Sequence, residues 1–130
     1  MKKKPAMELV AALRSGKYRQ TKGKLHGGSN TYCCLGVACA VSGVGKYEKL
    51  SRSDRAYVYT GPSDELFHED MELPIPVRDH FGFSDCLGRR KDEKNLIFGT
   101  KEHESLANAN DAGIKFTEIA DYIEKNWRYL

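Results

Sequence analysis

The chain carries four cysteines, Cys33, Cys34, Cys39 and Cys86, and four histidines, His26, His68, His80 and His103. Four thiols can hold zinc in a tetrahedron. The spacing argues against it. Two adjacent cysteines and a four-residue gap are not the C-x2-C pattern, and on a helix Cys33 and Cys34 diverge by about 100°. A single thiol can instead act as a nucleophile, activated by a helix N-terminus and a histidine base. That reading names Cys33 or Cys34, with His26 as the base. Cys39 lies a turn or more further along the same segment. Against both readings, three of the thiols fall in one apolar stretch, where cysteine behaves as a small buried hydrophobe. A disulfide scaffold would spread its cysteines between loops. The thiols are therefore read as reduced core residues, with no metal and no cofactor.

Binding chemistry gathers elsewhere. Lys17, Arg19, Lys22, Lys24 and His26, with Tyr18 and Gln20, form a basic segment that runs into Gly27-Gly28. A glycine loop leading into a helix N-terminus can present N–H groups to an anion. No G-x-x-x-x-G-K-[ST] and no G-x-G-x-x-G accompanies it, so a standard nucleotide motif is missing. Tyr18, Tyr57 and Tyr59 could stack bases if the partner were nucleic acid. Asn110-Asp111 precedes the last helix, where such residues serve as turn and cap or reach into a cleft. The binding candidates are thus Lys17, Tyr18, Arg19, Gln20, Lys24, Asn110 and Asp111.

Composition bounds the answer. The 130 residues suit one domain with one core. Hydrophobic residues at 40% and charged residues at 30% fit a globular chain and exclude a disordered one. No apolar run approaches the ~20 residues of a membrane span. The basic start at Met1–Lys4 is not followed by an apolar h-region, so no secretory signal is read and the expected location is the cytoplasm. The net charge of +3 is mild, but it is unevenly spread. Eight Lys/Arg face one acid in residues 1–26, whereas Asp64, Glu65, Glu69, Asp70 and Glu72 crowd residues 64–72. One end suits anions and the other repels them.

The elements that must position these groups follow from periodicity. Ala6, Leu9, Val10 and Leu13 predict an amphipathic helix over about 5–14, with residues 1–4 a flexible basic tail. Tyr18, Gln20 and Lys24-Leu25 suggest a hairpin around Thr21–Gly23. Cys33–Val41 is apolar all round, and Cys33–Ser42 predicts a buried central helix. Its small residues Gly36, Ala40 and Gly43 form a row for close approach. Residues 48–55 read as a surface loop; Ala56–Thr60, Leu66–His68 and Asn95–Gly99 read as strands. Pro76–Phe81 reads as a short helix ending at Gly82. A helix begins near Leu106, and another runs over Phe116–Trp127. There Glu118 suits the third position but Lys115 is a poor cap. The fold class is α+β, a single domain with the buried helix packed by N- and C-terminal helices and a small antiparallel sheet.

Three blocks in this order carry a resemblance: LRSGKYRQTKGKL (Leu13–Leu25), YCCLGVAC (Tyr32–Cys39) and LANANDAGIKFTEIADYIE (Leu106–Glu124). Between them lies LPIPVRDHFGF (Leu73–Phe83). Together they resemble a family of small phage and prophage proteins. The resemblance implies a setting, a phage gene expressed inside a bacterium, and supplies no chemistry. The function expected from all this is binding rather than catalysis. The expected partner is a host protein or an anionic, nucleotide-like small molecule, with nucleic acid as a further option and no membrane.

Overall fold

In the computed structural model, the described residues are 1–49, 57–61, 66–67, 71–92, 96–99 and 103–130. The first helix, α1 (Lys3–Arg14), buries the four expected residues Ala6, Leu9, Val10 and Leu13. It begins earlier than the sequence suggests. Met1, expected in a free basic tail, is buried. Its amino group donates to Trp127 O at 2.7 Å and Leu130 O at 2.5 Å, and Lys2 N–H donates to Phe81 O.

Residues 17–32 do not form the expected hairpin around Thr21–Gly23. β1 (Arg19–Gln20) pairs in parallel with β3 (Thr31–Tyr32), and β2 (His26–Gly28) pairs antiparallel on the other side of β3. The β2–β3 connection is Ser29-Asn30, both at positive φ (48° and 60°). That geometry matches the twist of a tight hairpin, and asparagine tolerates it well.

α2 (Cys34–Val41) is the central helix, buried from Cys34 to Cys39. Of the small-residue row, only Gly36 serves close approach. A Cβ there would sit 1.7 Å from Leu25 O, whereas one at Gly43 would meet nothing within 4 Å. Ala40 is exposed. Beyond α2, β4 (Lys46–Lys49), β5 (Tyr57–Thr60) and β6 (Leu66–Phe67) form a second sheet with β5 central and both pairings antiparallel. β4 corrects the surface-loop reading at residues 48 and 49, where alternation is too weak to flag a strand. Residues 50–56 and His68 lie outside the described set.

α3 (Ile75–Phe81) ends at Gly82 in the left-handed conformation. The expected strand at 95–99 is instead a 3-10 turn, Ile97–Gly99, with Asn95 outside the described residues. α4 (Leu106–Asp111) and α5 (Phe116–Asn126) close the chain. α5 packs along α1, and Arg14 bridges to Asp121 (2.5 Å) and Glu124 (2.6 Å). α2 lies against both α1 and α4, so the molecule is an α+β domain wrapped around one apolar helix.

The contact between Gly36 and the Leu25 carbonyl leaves no room for a methyl group. Gly36→Ala is expected to destabilise the fold by about 3 kcal/mol or more, the upper end of overpacking costs. Ala40→Gly, on the exposed side of α2, is expected to cost about 1 kcal/mol. Chemical denaturation of the two variants against wild type checks this.

Candidate functional site

The basic segment lies over the N-terminus of α2 and the α4–α5 junction, and one side chain joins all three. Asn110 is fully buried in α4. Its Oδ1 accepts from Gln20 Nε2 at 3.0 Å and from Cys34 N–H at 3.2 Å. Its Nδ2 donates to Thr21 O at 2.8 Å and to Asp111 Oδ1 at 3.1 Å. All four hydrogen-bonding positions of the amide are used. Gln20 extends the network, donating to Ile114 O at 2.7 Å. Its Oε1 accepts from Phe116 N–H at 3.2 Å, so a residue 96 positions away caps the first turn of α5. Lys115 has no capping hydroxyl, and Glu118 Oε2 accepts from its N–H instead. Asp111 Oδ1 accepts from Gly23 N–H at 2.9 Å. The loop 20–23 is therefore pinned by three side chains.

The cations on that loop are placed differently. Lys17, Arg19, Lys22 and Lys24 are exposed. Among the described residues none of the four meets a carboxylate within 4 Å. Arg14, Arg78, Arg89 and Arg90, in contrast, all pair with acids. Four backbone N–H groups of this loop and the start of α2 are engaged within the fold. Gly23 N–H goes to Asp111, Gly28 N–H to His26 Nδ1 (3.0 Å), Cys34 N–H to Asn110 and Gly36 N–H to Cys33 Sγ (3.3 Å).

The aromatic side chains are committed to one another. His26 stacks on Tyr57 with ring centroids 4.0 Å apart, tilts against Tyr32 at 4.1 Å and meets the edge of Tyr47 at 4.8 Å. Tyr18 packs edge-on against Tyr32. Tyr59, one of the candidate base-stacking rings, is 2% exposed, with its hydroxyl on Ser42 Oγ and Cys39 O. This cluster joins the two sheets.

The thiols are core groups. Cys33 caps α2 through Sγ, and Cys34 Sγ donates to Leu106 O at 3.4 Å. Burial pushes Cys33 up to about 11 and Cys39 up to about 12, and raises Cys34 well above its ordinary value. Desolvation thus outweighs the helix N-terminus at Cys33. His26 Nδ1 accepts from Gly28 N–H and lies 3.1 Å from Thr31 O, and among the described hydrogen bonds it meets no thiol. Cys86 is partly exposed and lies apart from this segment.

One cleft of about 250 Å3 opens beside the pinned loop. Lys24, Asp111 and Cys33 line it, together with Glu72, Leu87 and Ala107. The structure thus brings together Lys24 and Asp111 of the binding candidates and Cys33 of the catalytic ones. Gln20 and Asn110 lie in the pinning network, and Lys17, Tyr18 and Arg19 are not among the lining residues. Glu72 and Leu87 carried no motif in the sequence; only the fold places them at this cleft. Of the acidic run 64–72, Glu72 is the only acid among the described residues. No group of three or more metal-ligating side chains occurs among the described residues. Among the described residues no helix is long and apolar enough to cross a membrane.

Comparison with known proteins places the chain in a family. It belongs to the family described as Domain of unknown function (DUF8296), whose model matches residues 1–127. No curated protein and no solved structure matches the chain.

Two outcomes follow from this geometry. Asn110→Ala strands a buried amide N–H and a carbonyl, each costing ~1–3 kcal/mol, so a loss of about 3 kcal/mol is expected. Gln20→Ala removes a cap and is expected to cost about 1 kcal/mol. Urea denaturation measures both. The second outcome concerns pH. Burial lowers the His26 pKa below its ordinary 6.5. Below pH 6.5 the unfolded chain then binds this proton more readily than the folded one. His26 therefore imposes no proton-linked cost above pH 6.5, and stability falls as pH drops through the folded-state value. The difference in thermal midpoint between wild type and His26→Gln is expected to shrink from pH 7 towards pH 5.

Proposed function

We propose that this DUF8296 protein is a small phage or prophage accessory protein that works in the bacterial cytoplasm by binding. Its contact surface is the basic loop 17–24, and its partner is the acidic surface of a host protein. The observation that carries the reading is a contrast on a single loop. Asn110 and Asp111 hold the backbone at Thr21 and Gly23, and the Gln20 side chain bonds to Asn110. The side chains of Lys17, Arg19, Lys22 and Lys24 stay exposed, with no acid within reach among the described residues. A pinned loop loses little conformational entropy on association, and unneutralised cations steer an acidic partner towards it.

Two features favour an extended acidic surface over a single phosphate group. Four backbone donors near the loop, at Gly23, Gly28, Cys34 and Gly36, already have partners in the fold. The adjoining cleft adds two carboxylates, Glu72 and Asp111, which repel one. The burial and raised pKa of Cys33 and Cys34 weigh against a thiolate nucleophile.

The test is a comparison between wild type and the triple variant Lys17→Ala, Arg19→Ala, Lys22→Ala. These exposed changes are expected to alter stability by no more than about 0.5 kcal/mol. A partner captured from nuclease-treated bacterial lysate should be retained by wild type. It should be lost from the triple variant, and from wild type in ~1 M salt, where the Debye length is about 3 Å. Equal retention by the variant overturns the reading. Retention that vanishes on nuclease treatment transfers the surface to nucleic acid.

A further inference from the structure

The cleft beside the loop holds opposite charges that do not meet. Lys24, Glu72 and Asp111 all line it. Yet among the described residues no ion pair within 4 Å joins Lys24 to either acid. Asp111 is only half used. Its Oδ1 takes Gly23 N–H and Asn110 Nδ2, and Oδ2 has no hydrogen bond among the described residues. Cys33, Leu87 and Ala107 supply an apolar part of the lining. Met71 also lines the cleft while 56% exposed, a flexible thioether able to adapt to an apolar guest.

Separated, unneutralised charges around an apolar wall specify a guest that carries both signs and a short hydrocarbon group. The volume limits its size. At about 250 Å3 the cleft falls just below the ~300–1,000 Å3 of pockets for drug-sized ligands. We infer that the cleft bounded by Lys24, Glu72 and Asp111 binds a small zwitterion, a free α-amino acid with a short apolar side chain. Its carboxylate pairs with Lys24, its ammonium with Asp111 Oδ2 and Glu72, and its side chain covers Cys33, Leu87 and Ala107. The site is distinct from the contact surface of the outer loop, with Gly23 and Lys24 common to both.

The cleft is built by the same network that holds the loop. Gly23 and Asp111 line it while bonded to each other, and Cys33, whose neighbour's N–H is fixed by Asn110, forms part of its wall. Its shape is thus set before any ligand arrives, which lowers the ordering cost of binding.

The experiment is a proton–nitrogen correlation titration of the labelled protein with L-leucine and L-methionine up to ~10 mM. Saturable shifts are expected at the amides of Gly23, Ala107 and Asn108. The singly charged analogues 3-methylbutylamine and 4-methylpentanoate are expected to bind at least ~10-fold more weakly, the factor that corresponds to ~1.4 kcal/mol. Lys24→Met is expected to weaken the amino acids to the level of the amine, and Glu72→Gln to weaken them several-fold. Both positions tolerate the change structurally, since neither side chain bonds within the described fold. The Lys17→Ala, Arg19→Ala, Lys22→Ala variant should bind the amino acids like wild type, so this site and the loop's partner succeed or fail separately. Absence of shifts with either amino acid overturns the inference. So does binding of the amine or the acid alone as tightly as leucine.

Discussion

The buried amide of Asn110 is the constraint on which the rest of the site depends. A primary amide taken out of water loses four hydrogen bonds, and each group left unpaired costs ~1–3 kcal/mol. Asn110 recovers all four, and its partners come from four places: Gln20 in β1, the Thr21 backbone, the Cys34 N–H at the start of α2, and Asp111. Satisfying one side chain thereby fixes the loop after β1, the N-terminus of the central helix and the α4–α5 junction relative to each other. Gln20 then completes α5, whose own cap residue Lys115 offers no oxygen to its first turn. Helix α5 starts where it does because a residue from the other end of the chain supplies the missing acceptor.

The central helix α2 imposes the complementary apolar constraint. It is too short to be stable alone and too apolar to face water. The protein surrounds it with α1, α4 and the tyrosines of the second sheet. Tyr47 donates to Gly36 O, and Tyr59 reaches Cys39 O and Ser42. The same burial that stabilises the helix suppresses the chemistry of its thiols. A thiolate at Cys33 would gain from the helix N-terminus but lose its hydration, and the second effect is larger. At the other face, the His26–Tyr32–Tyr47–Tyr57 cluster bridges the two sheets, which are too small to be stable separately. The result is a platform on which the cations Lys17, Arg19, Lys22 and Lys24 stay exposed, with no ion pair among the described residues.

Particular residues show how much of this the sequence carried. The stripe Ala6, Leu9, Val10, Leu13 is legible because helical periodicity is a local property, and all four are buried. The all-apolar run at Cys33–Ser42 announced a buried helix for the same reason. Asn110-Asp111 and Gln20 were legible as polar residues in notable positions, but not as partners of one another, since 90 residues separate Gln20 from Asn110. β4 escaped notice because only Tyr47 in Lys46–Lys49 leaves an apolar mark, and its pairing with β5 is a tertiary event. The small residues Gly36, Ala40 and Gly43 fall in one row of the sequence pattern. The fold uses a single member, because only Gly36 faces the Leu25 carbonyl.

The sequence by itself determined the α+β class, the helices, the apolar faces and the concentration of cations between Lys17 and Lys24. Each of these depends on residue type and spacing within a dozen positions, where hydrophobic burial and helical period act directly. Only the tertiary structure decided which polar group meets which, that Lys24, Glu72 and Asp111 share a cleft, and that the thiols of Cys34 and Cys39 are fully buried. A hydrogen bond reaches ~3 Å and has direction, so its partner is fixed by where distant segments come to rest. Apolar burial has no such direction, and so it leaves its imprint on local sequence while the polar site does not.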